Sequence, residues 1–206
     1  MQHPVCSAQS VNGIVKTLSP KYNFKIFTKH EVEDSFFEDV DLVCFPGGVG
    51  DSDKFDVLAA RHVDSIRSYV RNGGKYLGIC MGAYWADSDY FNILDSDNRV
   101  VQYIRQPNTC TRRPHAKAMP ITWQGKQERI YFYDGCAITG NNLDIVATYS
   151  NGDPMAIIQR NIGLIGCHLE TEKFWYDYYS WMPKHWHHGK HNELLLEFVD
   201  KLMGDV

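Results

Sequence analysis

The chain has 206 residues, of which 44% are hydrophobic and 22% charged, with a formal net charge of −4 and an isoelectric point near 6.1. This composition is typical of a globular protein that builds its own core, so we expect residues 1–206 to form a single domain. The acidic balance argues against nucleic-acid binding, which requires clustered Lys and Arg. No apolar run approaches the roughly 18–20 residues of a membrane helix, and residues 1–6 lack a signal-peptide pattern. We therefore expect a cytoplasmic protein that does not associate with membranes.

Candidate helices and strands alternate along the first part of the chain, which indicates an α/β fold. Apolar residues spaced at i, i+3, i+4 and i+7 predict a helix over 10–18. Alternation over 22–28 predicts a half-buried strand. Short apolar runs over 41–45 and 75–79 are typical of central parallel strands, and the second one delivers Cys80.

Further helices and strands are predicted between and after these segments. A helix carrying Ala59, Val63, Ile66 and Val70 on one face joins the two central strands and ends at Gly73-Gly74. Another helix is expected to start directly after Cys80, and the polar stretch 95–128 is expected to be irregular. Four shorter strands and a closing helix follow; these are 129–133, 144–150, 155–159 and 162–167, and the helix that bears Leu195, Phe198, Val199 and Leu202.

Gly78-Ile79-Cys80-Met81-Gly82 is a G-x-C-x-G sequence between a predicted strand and a predicted helix. A nucleophile on such a sharp turn sits in a strained backbone conformation, and glycine neighbours allow the turn. Backbone N–H groups and the helix dipole at that position favour a thiolate and can hold an oxyanion. The alternative is a small buried cysteine between two glycines needed for packing.

His168 and Glu170 are the candidate partners of Cys80. They directly follow the apolar run 162–167, where a strand leaves the sheet. A spacing of two in extended chain places both side chains on the same side, so the carboxylate can orient the imidazole. A thiol nucleophile needs a base and an orienting group of this kind.

Three stretches together resemble the class I glutamine amidotransferase superfamily: Phe45-Pro46-Gly47-Gly48, Gly78-Ile79-Cys80-Met81-Gly82 and Gly166-Cys167-His168-Leu169-Glu170. Two longer segments, 73–86 and 147–158, are more narrowly similar to the amidotransferase-like N-terminal domain of biotin–protein ligases, in its stand-alone form. This resemblance implies a three-layer, flavodoxin-like α/β sandwich with a central, mostly parallel sheet and helices on both faces.

The resemblance also assigns roles to individual residues. Cys80, His168 and Glu170 would form a catalytic triad, and Gly47, Gly48 and the N–H of Met81 an oxyanion hole. A glycine-rich turn bordering the pocket supplies three lining residues, which are Asp134, Gly135 and Cys136. No metal and no organic cofactor is implied. The substrate would be a small-molecule amide or acyl compound, with a separate synthetase or ligase as partner.

Three departures from the family pattern stand out. Cys167 and Leu169 replace prolines, so the backbone that carries His168 is expected to be less rigid. Only Met1–Pro4 precede the segment resembling 5–10, so the first strand of the family is expected to be stunted or missing. The chain has no Gly-Arg-Gly-Arg-type loop, so no biotin ligase activity is expected.

Two functions therefore compete at this point. The first is thiol-dependent attack on an amide or acyl carbon by a Cys-His-Glu triad. The second is a catalytically silent module of the same fold that binds a ligand or a partner. A third interpretation, cysteine chemistry of the intracellular-protease-like type, fits less well because that branch usually takes its acidic residue from an early strand.

Two tracts have more than one interpretation. The histidine-rich tract 185–191 suggests a metal site, but adjacent histidines diverge in most backbones, which favours an exposed loop. The aromatic tract 174–181 is expected either to form a lid near His168 or to pack in the core or in a dimer. The six cysteines, at positions 6, 44, 80, 110, 136 and 167, show no disulfide or C-x-x-C spacing, which indicates reduced thiols.

Overall fold

The computed structural model describes residues 6–32, 34–48, 55–56 and 60–204. Its helices are α1 (Ala8–Leu18), α2 (Val63–Arg71), α3 (Met81–Tyr84), α4 (Lys173–Asp177) and α5 (Lys190–Met203). Its strands are β1 (Leu42–Phe45), β2 (Lys75–Ile79), β3 (Arg99–Gln102), β4 (Lys117–Trp123), β5 (Lys126–Phe132), β6 (Cys136–Thr139), β7 (Asp144–Tyr149), β8 (Pro154–Gln159) and β9 (Ile162–Ile165). None of these helices has the length and apolar character needed to cross a bilayer.

Seven strands form one sheet in the order β1-β2-β9-β8-β7-β4-β5. β1, β2 and β9 pair in parallel, whereas the other described ladders of this sheet are antiparallel. The predicted α/β class is confirmed, and the parallel arrangement is confined to one half of the sheet. The other half runs antiparallel because β4–β5, β7–β8 and β8–β9 are joined by short hairpins, which cannot connect parallel strands.

Helices cover both faces of the sheet, as expected for a three-layer sandwich. On one face α1 and α5 pack together over β2 and β9, with Ile14 and Phe198 in a shared apolar cluster. On the other face α2 and α3 pack over β1 and β2, with Ile66 and Tyr76 in a second cluster. The carboxyl ends of β2 and β9 lie between these two layers, which is where the candidate site forms.

The prediction for 22–28 was wrong. Among the described residues this segment joins no strand ladder, and it buries Phe27 while Ile26 remains 53% exposed. With α1 and β1 the segment lines an apolar groove of about 410 Å³, which Cys80 and His168 do not line. The expected first strand and Ala59 of the predicted helix lie outside the described residues.

The prediction of an irregular stretch over 95–128 was also wrong, because this stretch contains β3, β4 and the first residues of β5. β4 carries Pro120, which argues against a strand. The proline is tolerated because the ladder with β7 covers only Ile121–Trp123, so no neighbour on that side needs the missing N–H at position 120. β3 pairs with β6 in a separate two-stranded sheet.

The histidine-rich tract is less exposed than predicted. The rings of His187 and His191 stack with centroids 4.1 Å apart, and His191 is only 2% exposed. His187 Nδ1 accepts hydrogen bonds from the N–H groups of Gly189 and His191, at 3.1 and 3.2 Å, at the start of α5. These two rings are therefore part of the helix start, and the described residues contain no cluster able to hold a metal ion.

Candidate functional site

Cys80 lies at the turn between β2 and α3. Its backbone has φ 50° and ψ −104°, a region that non-glycine residues rarely adopt. The turn is tight because a Cβ on Gly78 would lie 2.4 Å from the Gly82 carbonyl oxygen, and a Cβ on Gly82 would lie 2.0 Å from that of Phe45. The predicted strand-to-helix turn at Cys80 is therefore present. α3 is a single turn, so local N–H groups, rather than a long helix dipole, act on the sulfur.

β2 and β9 bring Cys80 and His168 to the same edge of the sheet. The two strands pair in parallel with Ile79 opposite Ile165, so both end at this edge. The Cys80 N–H donates to the Ile165 carbonyl at 2.8 Å, which fixes the turn to the end of β9. Cys80 lies near enough to the His168 ring for its charge and its side chain to raise the pKa of the imidazole.

His168 and Glu170 are paired as their spacing predicts. His168 Nδ1 donates to Glu170 Oε1 at 2.9 Å, and the two residues are 4% and 0% exposed. Because Nδ1 faces the carboxylate, Nε2 is the ring nitrogen left for the thiol. The expected loss of rigidity is offset on both flanks: the His168 N–H donates to the Tyr131 carbonyl at 2.8 Å, and the Asn192 amide donates to the Leu169 carbonyl at 3.0 Å.

The electrostatics of the site favour a protonated imidazole. Burial lowers the pKa of His168, but the negative charges of Glu170 and Cys80 and hydrogen bonds to both side chains outweigh it. The net effect raises the pKa from 6.5 to about 10.

The predicted oxyanion residues differ in whether their backbone N–H groups already have a hydrogen-bond partner. The Gly47 N–H donates to Ser10 Oγ at 3.0 Å and is therefore already engaged. Met81 is the first residue of α3, where an N–H has no partner within the helix. Gly82, the next residue, donates its N–H to the Pro46 carbonyl at 3.2 Å and so ties the two turns together.

Residues 3–104 match the protein family described as "Biotin-protein ligase, N terminal". The match includes Cys80 and ends before His168. A structure described as a glutamine amidotransferase is 15% identical, with 94% of this chain and 93% of that chain covered and a TM-score of 0.66. A glutamine amidotransferase from Thermotoga maritima is 12% identical, with 98% and 95% covered and a TM-score of 0.70. One from Methylobacillus flagellatus is 11% identical, with 98% and 86% covered and a TM-score of 0.55.

The chain has a class I glutamine amidotransferase-like fold. Both parts of the resemblance drawn from the sequence are confirmed, since the family model matches the first half of the chain and the solved structures align over nearly all of it. At identities of 11–15% the structures show the fold alone. No curated protein matches the sequence.

In this amidotransferase-like fold the turn after β5 passes close to Cys80. The Cys80 thiol lies 3.7 Å from the carbonyl oxygen of Tyr133, which belongs to the stretch 131–136 that the resemblance places at the border of the pocket. The three predicted lining residues make different contacts around this turn. The Asp134 carboxylate accepts hydrogen bonds from Gln102, Gly135 packs against Gly166, and Cys136 is fully buried behind the turn.

The aromatic tract divides between the two predicted roles. Trp175 and Tyr176 are buried with Tyr131, and the Trp175 ring lies 5.4 Å from that of His168. Phe174 and Tyr178 are exposed on the outside of the same segment. The tract therefore packs against the imidazole of His168 through Trp175, while other aromatic side chains of the tract remain in contact with solvent.

Proposed function

We propose that this protein is a thiol-dependent enzyme of the amidotransferase or amidohydrolase type, acting on a small-molecule amide or acyl substrate. One observation carries the proposal: the His168 ring is held by the buried Glu170 carboxylate and lies near enough to Cys80, in its strained turn at the end of β2, for Cys80 to raise the pKa of the imidazole. Nucleophile, base and orienting carboxylate are the three parts that acyl transfer by a cysteine requires.

The reaction proceeds in two halves. Cys80 Sγ attacks the carbonyl carbon, and N–H groups at Met81 and Gly48 stabilise the oxyanion of the tetrahedral intermediate. The His168 imidazolium gives its proton to the leaving amine, which for a primary amide departs as ammonia and leaves a thioester on Cys80. His168 then takes a proton from water, whose oxygen attacks the thioester. The bond between the carbonyl carbon and Cys80 Sγ then breaks, the carboxylic acid leaves, and the Cys80 thiolate and the His168 imidazolium are restored.

Glutamine is the first amide to test, because the structural neighbours are described as glutamine amidotransferases. Ammonia released from glutamine is normally passed to an acceptor, so a separate synthetase or ligase is the expected partner. The alternative is a silent binding module of the same fold, and the observation in its favour is that only 6% of the Cys80 surface is exposed.

The first test compares two cysteines of the same chain. At pH 6.5 iodoacetamide is expected to modify Cys80 about tenfold faster than Cys110, although Cys110 is exposed and Cys80 is buried, because only Cys80 lies beside an imidazolium. His168→Ala should slow Cys80 about tenfold or more and leave Cys110 unchanged. Peptide mass spectrometry over time gives both rates in one sample. Equal rates at Cys80 before and after His168→Ala would favour the binding module.

Gly47→Ala tests the geometry of the base. A Cβ at Gly47 would lie 2.5 Å from His168 Cε1, so the ring must rotate away from its hydrogen-bond partners. We expect Cys80 alkylation to fall to nearly the His168→Ala rate. In the His168→Ala background the added methyl group has room, and Gly47→Ala should then have no further effect. A further loss in that background would show that Gly47 acts on something other than the ring.

A further inference from the structure

Ser10 lies where α1 meets the site. Its side chain is fully buried, and its Oγ donates to Glu170 Oε1 at 2.6 Å while accepting the Gly47 N–H at 3.0 Å. A hydroxyl has one proton, and because Gly47 can only donate, that proton points to the carboxylate. One side chain therefore joins the acidic residue after β9 to the glycine turn after β1.

Glu170 has few other contacts that hold its carboxylate. Oε1 accepts from His168 Nδ1 and from Ser10, while the buried Oε2 has no hydrogen-bond partner within the described part of the chain. α1 presses on the backbone of the same residue, since a Cβ on Gly13 would lie 2.0 Å from the Glu170 carbonyl oxygen. Without Ser10, His168 is the remaining described hydrogen-bond donor to this carboxylate.

We propose that Ser10 is a positioning residue that sets the Glu170–His168 pair and the Gly47-Gly48 turn relative to each other. This inference rests on the proposed function, because it assigns Ser10 a part in the reactivity of Cys80. Ser10 acts through Glu170 on one side and through Gly47 on the other. A buried hydrogen bond to a charged group is strong enough for its loss to be measured as a change in rate.

The test uses Ser10→Ala with Ser7→Ala as its matched control. Ser7 is the N-cap of α1 and accepts the Ser10 N–H through its own Oγ at 3.1 Å, so its loss weakens the same helix without touching Glu170. We expect Ser10→Ala to slow Cys80 alkylation about tenfold and Ser7→Ala by less than about twofold. Both should lower the thermal unfolding midpoint. Ser10→Thr retains the hydroxyl and should restore most of the rate.

A double-mutant cycle separates positioning from packing. In the Glu170→Gln background Ser10→Ala should change the Cys80 rate much less than in the natural chain, because the charged acceptor is gone. The inference is overturned if Ser10→Ala and Ser7→Ala slow Cys80 equally, or if the two changes at 10 and 170 multiply independently. The proposed function fails on a separate result. It fails if the natural chain shows no faster alkylation of Cys80 than of Cys110, or if His168→Ala leaves the Cys80 rate unchanged.

Discussion

Gly82→Ala is expected to lower the free energy of unfolding by about 3 kcal/mol, the upper range for overpacking a core. The new Cβ would lie 2.0 Å from the Phe45 carbonyl oxygen, so relief requires β1 and α3 to separate. That movement breaks the hydrogen bond from Gly82 N–H to the Pro46 carbonyl and the one from Tyr76 Oη to the Gly82 carbonyl, which are 3.2 and 2.6 Å long. Urea unfolding followed by tryptophan fluorescence measures the loss.

Gly125→Ala is the control for this substitution. Gly125 lies in the β4–β5 hairpin with φ +81°, and a Cβ there meets nothing within 4 Å. Alanine should therefore cost only the conformational penalty of about 1–2 kcal/mol for a left-handed residue. If Gly82→Ala proved no more destabilising than Gly125→Ala, the close approach of α3 to β1 would not be a constraint on folding.

Acidification between pH 6.5 and pH 4 is expected to destabilise the protein through His187 and His191. Burial lowers the pKa of both imidazoles, to about 3 for His187 with repulsion from His191, and to about 4 for His191 with repulsion from Lys190. The unfolded chain binds protons on these residues below pH 6.5, whereas the folded chain does not. At pH 5 each fully protected imidazole would lower the free energy of unfolding by about 2 kcal/mol.

The titration of His168 changes the free energy of unfolding with the opposite sign and in another pH range. Its pKa is raised to about 10, so its contribution to stability is complete below pH 6.5 and is lost as the pH rises towards 10. It therefore does not alter the loss of stability expected between pH 6.5 and pH 4. Comparing urea unfolding at pH 7.5 and pH 5.0 measures that loss.

The variant His187→Gln with His191→Gln should be less stable at pH 7.5 but show a flatter acid dependence. His188→Asn, at the exposed neighbour in the same loop, should leave the acid dependence as it is. Equal free energies of unfolding at the two pH values in the natural chain would contradict the burial of these rings.

The sequence best predicts the elements whose structure is determined by their own residues and not by distant partners. β2 is predicted to the residue, because a continuous apolar run between Gly74 and Cys80 fits only a strand covered on both faces. The pairing of His168 with Glu170 follows from the alternation of an extended chain. Both predictions depend on local rules.

Features that depend on distant partners could not be predicted in the same way. The segment 22–28 alternates like a strand but joins no described ladder, and β4 contains a proline that only its short ladder with β7 makes acceptable. Ser10 could be placed on a helix from its spacing, yet nothing in the sequence shows that its hydroxyl meets residue 170. Its partners are set by how α1 lies on the sheet.

The anchoring of His168 to Tyr131 has a consequence for how this site can change. Cys80 is held by β2, in the parallel half of the sheet, whereas the backbone of His168 is held at the end of β5, the outermost antiparallel strand. A two-residue slip in the pairing of β4 with β5 keeps every side chain on its original face but moves the carbonyl that fixes the imidazole. Mutations in that outer hairpin, remote in sequence from Cys80 and His168, are therefore expected to change the distance between the sulfur and the ring nitrogen, and with it the rate of the proposed reaction.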